Sequence, residues 1–272
     1  MLGSSGFIGS NLIEYLKKRQ IEYFAPERND NSIFRTHLNN VIYCIGLTAD
    51  FRNKPFETVE AHVSYLAKIL ENCSFDSFIY LSSARVYSNG GKGMIAKEET
   101  PLKINPLDKS DLYNISKIMG ESLCLNCDKK NVKVVRLSNV YGNDLNSSNF
   151  ITDIFREILK TKSLFLRTSL SSEKDYINVT DVVDLLVKIS LDGKYNIYNI
   201  ASGINVKNEE ILQVINSYIP FKLEVIKNPK NIRYPKISIE RIQEEFNYEP
   251  KTILDDVFGL IKVYGDYYER ND

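Results

Sequence analysis

Apolar and polar positions alternate along this chain in two textures. Short runs rich in β-branched and aromatic residues at 23–25, 41–45, 78–81, 132–137 and 195–200 read as strands. Between them, apolar residues recur three and four positions apart. Residues 7–18 put Ile8, Leu12 and Leu16 on one stripe, residues 58–73 turn Val59, Val63, Leu66 and Leu70 inward, and residues 111–127 form a third helix. Strands alternating with helices predict an α/β fold, a parallel sheet wrapped by helices. Past Tyr141 the texture changes. Residues 142–148 are a polar loop, 149–159 are helical, and from Val206 onward helices and short strands mix without strict alternation. The pattern divides the chain into a sheet domain over 1–142 and a smaller lobe over 143–272, some of whose segments return to the sheet. No Pro/Gly/Ser-rich linker separates them, so a shared core with a cleft is expected.

The start of the chain breaks the pattern. Only Met1 and Leu2 precede Gly3, where a glycine loop should follow a full strand. Such a central strand is normally buried on both faces. The expectation is that the natural start lies several residues upstream; the alternative is a sheet that tolerates a truncated first strand.

Composition removes several function classes. Thirty-five Lys and Arg balance 35 Asp and Glu, so no global field recruits nucleic acid or an anionic membrane, and an anionic ligand needs a local site. Cys44, Cys73, Cys124 and Cys127 are too few for a disulfide scaffold in a chain this long. No secretion signal and no apolar run of roughly 20 residues occurs, so the default location is the cytoplasm. His37 and His62 are the only histidines, which rules out histidine-based metal sites and Ser-His-Asp catalysis. Cys124-Leu125-Asn126-Cys127 sits at the end of a helix, where nothing lowers a thiol pKa, so a buried inert role is expected.

Gly3-Ser4-Ser5-Gly6-Phe7-Ile8-Gly9 opens straight into the first helix. Glycines there let the backbone turn tightly and approach a pyrophosphate, while the helix N-terminus offers free N–H groups and partial positive charge. Gly3, Ser5, Gly6, Phe7, Ile8 and Gly9 are therefore candidate cofactor-binding residues. Glu27 lies 24 positions after Gly3, at the end of the next strand, where a carboxylate would accept from adenosine ribose hydroxyls. Arg28 follows, and a guanidinium could instead pair with a 2′-phosphate. Glu favours NAD and Arg favours NADP; both remain open, as does a solvated charged turn.

Tyr113-Asn114-Ile115-Ser116-Lys117 carries a phenol and an ammonium four positions apart on one helical face. An ammonium beside a phenol favours the phenolate, so Tyr113 is a candidate proton-transfer group. Upstream, Phe78–Tyr87 is a strand ending in Ser82 and Ser83, where a hydroxyl can bond the same substrate oxygen; strand-end capping is the plain alternative.

Five motifs now stand in order: the glycine loop, S-S-x-x-V-Y at 82–87, Y-x-x-x-K at 113–117, Arg136-Leu137-Ser138-Asn139-Val140-Tyr141-Gly142, and Lys174-Asp175-Tyr176-Ile177-Asn178-Val179-Thr180-Asp181. Over nearly its whole length the chain resembles an extended short-chain dehydrogenase/reductase of the NAD-dependent epimerase/dehydratase group, which acts on nucleotide sugars. The resemblance implies a Rossmann-type doubly wound sheet of seven strands with a small interleaved C-terminal substrate lobe. It implies that Ser83 polarises the sugar oxygen, Tyr113 is the general base or acid, and Lys117 holds the nicotinamide ribose and depresses the Tyr113 pKa. Gly46, Leu47, Thr48 and Ser138 would line the NAD or NADP site; Asn139, Arg85, Lys174 and Arg233 would face the nucleotide-sugar substrate. For Arg233 and its neighbour Lys227, solvated surface is an equal alternative. A homodimer through helices 58–73 and 111–127 is also implied.

Departures from the family pattern narrow the choice. Sugar 4,6-dehydratases follow the catalytic hydroxyl residue with Asp-Glu, whereas here Ala84 and Arg85 stand there, which argues against that chemistry. Lys174 replaces a diphosphate-gripping Arg, and His62 stands where relatives carry Asn. The leading expectation is a nucleotide-sugar epimerase working through a transient keto intermediate. The alternatives are a ketoreductase on a nucleotide-linked keto-sugar and a non-catalytic dinucleotide sensor, the last disfavoured by the retained Tyr/Lys pair.

Overall fold

The computed structural model describes residues 1–48, 50–91, 93–143 and 149–271, with side chains given as far as Asp266. The first half runs α1 (Phe7–Lys18), β1 (His37–Tyr43), α2 (Pro55–Val59), a π-helical turn (Glu60–Ser64), α3 (Tyr65–Asn72), β2 (Ser74–Ser83), β3 (Ile95–Ala96), α4 (Asp111–Asn126) and β4 (Val132–Leu137). The second runs β5 (Asn139–Tyr141), α5 (Phe150–Thr161), β6 (Ser163–Thr168), β7 (Glu173–Asn178), α6 (Val179–Asp192), β8 (Ile197–Ile200), β9 (Asn205–Lys207), α7 (Asn208–Tyr218), β10 (Lys222–Lys230), β11 (Lys236–Ile237), α8 (Glu240–Phe246) and α9 (Ile253–Asn271). Most of the expected loop 142–148 lies outside the described residues. Among those described, no helix is long and apolar enough to cross a membrane.

The main sheet is parallel, in the order β1-β2-β4-β8. Its inner strands β2 and β4 are largely buried on both faces, and the period of two assigns alternate residues to opposite layers. Ile79 and Leu81 of β2 pack with Leu12 and Leu16 of α1 and with Val182, Leu185 and Leu186 of α6. Phe78 and Tyr80 pack the other way, with Leu66 and Leu70 of α3 and Cys124 of α4. This is the helix–sheet–helix sandwich that the sequence pattern demands. A separate core of Ile154 and Phe155 (α5), Ile211 and Leu212 (α7), and Val257 and Tyr264 (α9) builds the C-terminal lobe, while α6 and β8 return to the sheet.

Two expectations need correction. Residues 23–25 form no strand, and Tyr23 and Phe24 are exposed. The expected seven-stranded sheet has four ladder strands among the described residues. The missing central strand and the missing strand at 23–25 share one physical reason. With two residues before Gly3, the central strand is reduced to a bridge at Leu2: its N–H donates to Ile42 O (3.0 Å) and its carbonyl accepts from Cys44 N (2.8 Å). Leu2 forms a single bridge and no ladder, and the Met1 ammonium donates to Phe24 O (2.7 Å).

Candidate active site

The carboxyl ends of the central strands and the N-terminus of α1 surround a cleft of about 420 Å³, the place where open α/β sheets take ligands. Gly6, Phe7, Ile8, Gly46 and Thr48 line one side, Ser83, Tyr113 and Lys117 the floor, and Lys174, Tyr176 and Tyr234 the side toward the lobe.

The glycine loop fits its expected task. Gly3 lies at φ +89° with the Cys44–Ile45 backbone 2.9 Å from any added Cβ, so only glycine suits the position. A Cβ at Gly9 would strike the Gly3 carbonyl. At Gly6 the nearest atom would be 3.7 Å away, so this α carbon borders cleft rather than protein. Gly6 is the N-cap of α1 and no side chain caps the helix, which leaves first-turn N–H groups free for an anion. The loop therefore has the features that a dinucleotide pyrophosphate needs.

At the floor, Ser83 Oγ accepts from Arg85 N (3.2 Å), capping the short 3₁₀ turn Ala84–Tyr87. Tyr113 is buried between the rings of Phe51 (centroids 5.2 Å apart) and His62 (5.4 Å). Burial pushes its phenol above the ordinary range; a hydrogen bond with Ser83 and the nearby Arg85 charge pull it back. Lys117 Nζ donates to Leu81 O (2.9 Å) and stands 5.9 Å from the Tyr113 ring centre. Burial lowers the Lys117 ammonium to about 7. The groups that counter burial at Tyr113 are thus Ser83 and Arg85, where the sequence pointed to Lys117.

His62, on the π-helical turn, is fully buried. The backbone N–H of Leu47 donates to Nε2 (3.1 Å), so Nδ1 carries the proton and donates to Ser116 Oγ (2.9 Å), which in turn donates to Tyr113 O (2.8 Å). A Cβ at Gly46 would stand 3.3 Å from His62 Nε2 and 3.5 Å from Lys117 Nζ. His62 therefore joins the 46–48 loop to the Tyr113 helix. Desolvation, with the Lys117 charge adding to it, lowers its imidazolium to about 2, so the ring is neutral.

Beneath the floor, Arg136 donates to both oxygens of Glu121 (Nε 3.0 Å, Nη2 2.6 Å) and to Tyr87 Oη (2.7 Å). Glu121 also accepts from Ser82 Oγ (2.5 Å). Tyr87 and Arg136 of the sequence motifs thus fix the Ser83 turn against β4 and α4. Asp175, in the lobe-side motif, is likewise engaged: it accepts from Ser202 N, Ser202 Oγ and Ile204 N, each at 3.0 Å.

The profile of the NAD dependent epimerase/dehydratase family matches residues 1–201. The chain belongs to the NAD dependent epimerase/dehydratase family. It is 25% identical to the GDP-6-deoxy-D-mannose reductase of Pseudomonas aeruginosa, over 85% of this chain and 83% of that protein. It is 23% identical to the GDP-6-deoxy-D-talose 4-dehydrogenase of Aggregatibacter actinomycetemcomitans, over 86% and 84%. Among solved structures, RMD from Pseudomonas aeruginosa complexed with NADPH superposes with a TM-score of 0.82 at 23% identity, covering 97% of this chain and 99% of that one. The expected short-chain dehydrogenase/reductase fold and NAD(P)-dependent enzyme class accordingly hold for this chain.

Measured against that family, the cleft gathers most of the residues that the motifs indicated. Ser83, Tyr113, Lys117, Gly6, Phe7, Ile8, Gly46, Thr48, Ser138, Arg85, Asn139 and Lys174 all line it. Gly3, Ser5, Gly9 and Leu47 do not line it; Gly3, Ser5 and Leu47 lie in the adjoining loops and Gly9 in the first turn of α1. Glu27, Arg28 and Arg233 are exposed and do not line it. Sequence reasoning missed Tyr176, Phe150, Tyr234 and Pro235, which face the cleft from the lobe. Tyr176 stood inside a quoted motif, two residues from Lys174 on the same face of a strand, and that period was the available signal. Tyr234 and Pro235 follow a loop that carried none.

Proposed function

We propose that this family member is a nucleotide-sugar epimerase in which residues 1–142 supply the dinucleotide half of the site and 143–272 most of the substrate lobe. The observation that carries this reading is the cleft's acid–base inventory. One phenol, Tyr113, has a hydroxyl and an ammonium within its surroundings, and the one lining carboxylate among the described residues, Asp175, is taken up by Ser202 and Ile204. That set suits proton transfer at a single carbinol carbon, and the described residues include no second acid–base pair of the kind an elimination requires.

Bound NAD(P) supplies the hydride acceptor and donor. Tyr113 takes the sugar hydroxyl proton and later returns it. Ser83 donates a hydrogen bond to the same oxygen. Lys117, with one N–H spent on Leu81 O, keeps two for ribose hydroxyls and for the charge that forms on Tyr113. For epimerisation the cleft would have to let the keto-sugar turn its other face toward the cofactor. Gly6 and the first turn of α1 would hold the pyrophosphate, and His62 the 46–48 loop. The substrate is a nucleotide-linked sugar, which the named substrates of the curated relatives support.

A second reading is a ketoreductase. The raised Tyr113 pKa favours the phenol, which is the proton-donating form, and the relatives carry reductase and dehydrogenase names. Incubation with nucleotide sugars and either cofactor separates the two. An epimerase yields a stereoisomer with no net change in NAD(P)H absorbance, whereas a reductase consumes NAD(P)H stoichiometrically with a keto-sugar. No turnover and no binding of either cofactor would defeat both. For assembly we propose a homodimer through 58–73 and 111–127; Phe56 (85% exposed) and Met119 (51%) lie on or beside these helices. Sedimentation showing monomer alone at micromolar concentration would refute it.

A further inference from the structure

The π-helical turn that carries His62 is held from the side away from the cleft. Tyr43 of β1 and Tyr80 of β2 pair in register, with ring centres 6.1 Å apart. Both are fully buried, and neither lines the cleft. The Tyr43 hydroxyl donates to Ala61 O (2.7 Å) and the Tyr80 hydroxyl to His62 O (3.2 Å). Two phenols from neighbouring strands thus bond consecutive carbonyls of the turn. Burial pushes both phenols well above their ordinary range, so both remain protonated donors.

The turn decides which way His62 faces. Thr58, His62, Leu66 and Leu70 are all buried, at a spacing of four. An α-helix repeats every 3.6 residues, so a stripe at that spacing drifts by ~40° at each step. A wider π turn absorbs part of the drift, and His62 meets Leu47 and Ser116. The fit around it is close. A Cβ at Gly120 would strike Tyr80 Oη and stand 2.8 Å from His62 O. The Tyr80 ring also lies 5.1 Å from Lys117 Nζ. Phe78, on the same strand and in the same core, fills its space without a hydroxyl, and phenylalanine would serve equally at 43 and 80 if packing were all. Burying a hydroxyl is costly unless it is bonded, and here both are spent on the turn.

We infer that Tyr43 and Tyr80 are positioning residues for the cofactor end of the site. Their hydroxyls fix the π turn, the turn aims His62 Nε2 at Leu47 N, and that bond sets the 46–48 loop along the dinucleotide. Neither phenol touches a ligand; each acts through His62. The inference rests on reading the 46–48 loop as part of the dinucleotide site.

Tyr43→Phe and Tyr80→Phe each remove one hydroxyl and keep the ring, so the contact of ring 80 with Lys117 is retained. Calorimetric titration of NAD and NADP should show Kd raised roughly 3- to 10-fold in each variant for whichever cofactor the wild type binds, the worth of one net hydrogen bond. The chain has two histidines, so nitrogen NMR of isotope-labelled histidine follows His62 directly. Its Nε2 resonance should move in both variants as the bond from Leu47 N loosens. Ile69→Val, a comparable loss in the same core, should leave both Kd and resonance at their wild-type values. If the Phe variants bind cofactor as the wild type does, or bind it more weakly with the His62 resonance unmoved, the inference is overturned and the dinucleotide reading stands. If Ile69→Val weakens binding as much as they do, the effect is general loosening of the core and the inference falls. If the wild type binds neither NAD nor NADP, the dinucleotide reading falls and the inference with it.

Discussion

The two ends of the proposed dinucleotide site are built on opposite principles. At the catalytic end, Tyr113, Lys117 and His62 are buried and tied to the 46–48 loop: Leu47 N to His62, His62 to Ser116, Ser116 to Tyr113 O. At the adenosine end, Glu27 and Arg28 are exposed, and their segment is held by the Met1–Phe24 bond and a single turn, Asp30 N to Glu27 O at 3.2 Å. The buried end cannot move one group without unsatisfying another, and unsatisfied buried polar groups are costly. The exposed end has no such constraint, and charges in water contribute little each. Geometry at one end is therefore set by a network, while at the other it is set by side chains that a ligand must order for itself.

Changes at the buried end should dominate. Tyr113→Phe removes the transferable proton and should lower kcat by ~100- to ~10,000-fold while substrate and cofactor Kd stay close to wild type. Wild-type turnover in this variant would end the mechanism. Lys117→Met should come next, weakening cofactor binding and turnover together by roughly 10- to 100-fold, the worth of a charge-assisted hydrogen bond. An effect on kcat alone would detach Lys117 from the ribose.

His62 makes the contrast measurable by pH. Its folded pKa, about 2, lies below its ordinary value of 6.5. Below pH 6.5 the unfolded chain therefore takes up a proton that the folded chain refuses. The contribution is present in full above pH 6.5 and is lost as pH falls, about 2 kcal/mol between pH 6.5 and 5. Denaturant titrations of His62→Gln should show a flatter loss over that window, along with weaker cofactor binding through the loosened 46–48 loop. An unchanged acid limb would show that His62 is not the buried neutral group described above.

The smallest effects belong to the exposed end. Glu27→Ala and Arg28→Ala should each shift cofactor Kd by no more than a few-fold, as solvent-exposed charges do. Their value lies in direction: loss at Glu27 should weaken NAD selectively and loss at Arg28 NADP. A tenfold change from either would mean that the segment orders around the ligand far more than its free state suggests.

What the sequence determined by itself was local and periodic. Helices at Phe7–Lys18 and Asp111–Asn126, the strand at Val132–Leu137, the glycine loop and the Tyr113–Lys117 face all follow from spacing that neighbouring residues impose. The failed strand at 23–25 shows the limit, because a strand needs a partner and Leu2 supplies one bridge. Tertiary structure alone decided the rest. It brought His62, Ser116 and Leu47 into one chain of hydrogen bonds across three elements. It gave Tyr87 and Arg136 a scaffolding role, raised the Tyr113 pKa through burial, and set Arg85 and Lys174 in the same cleft. Each depends on distance through space and on desolvation, and neither quantity is a function of position along the chain.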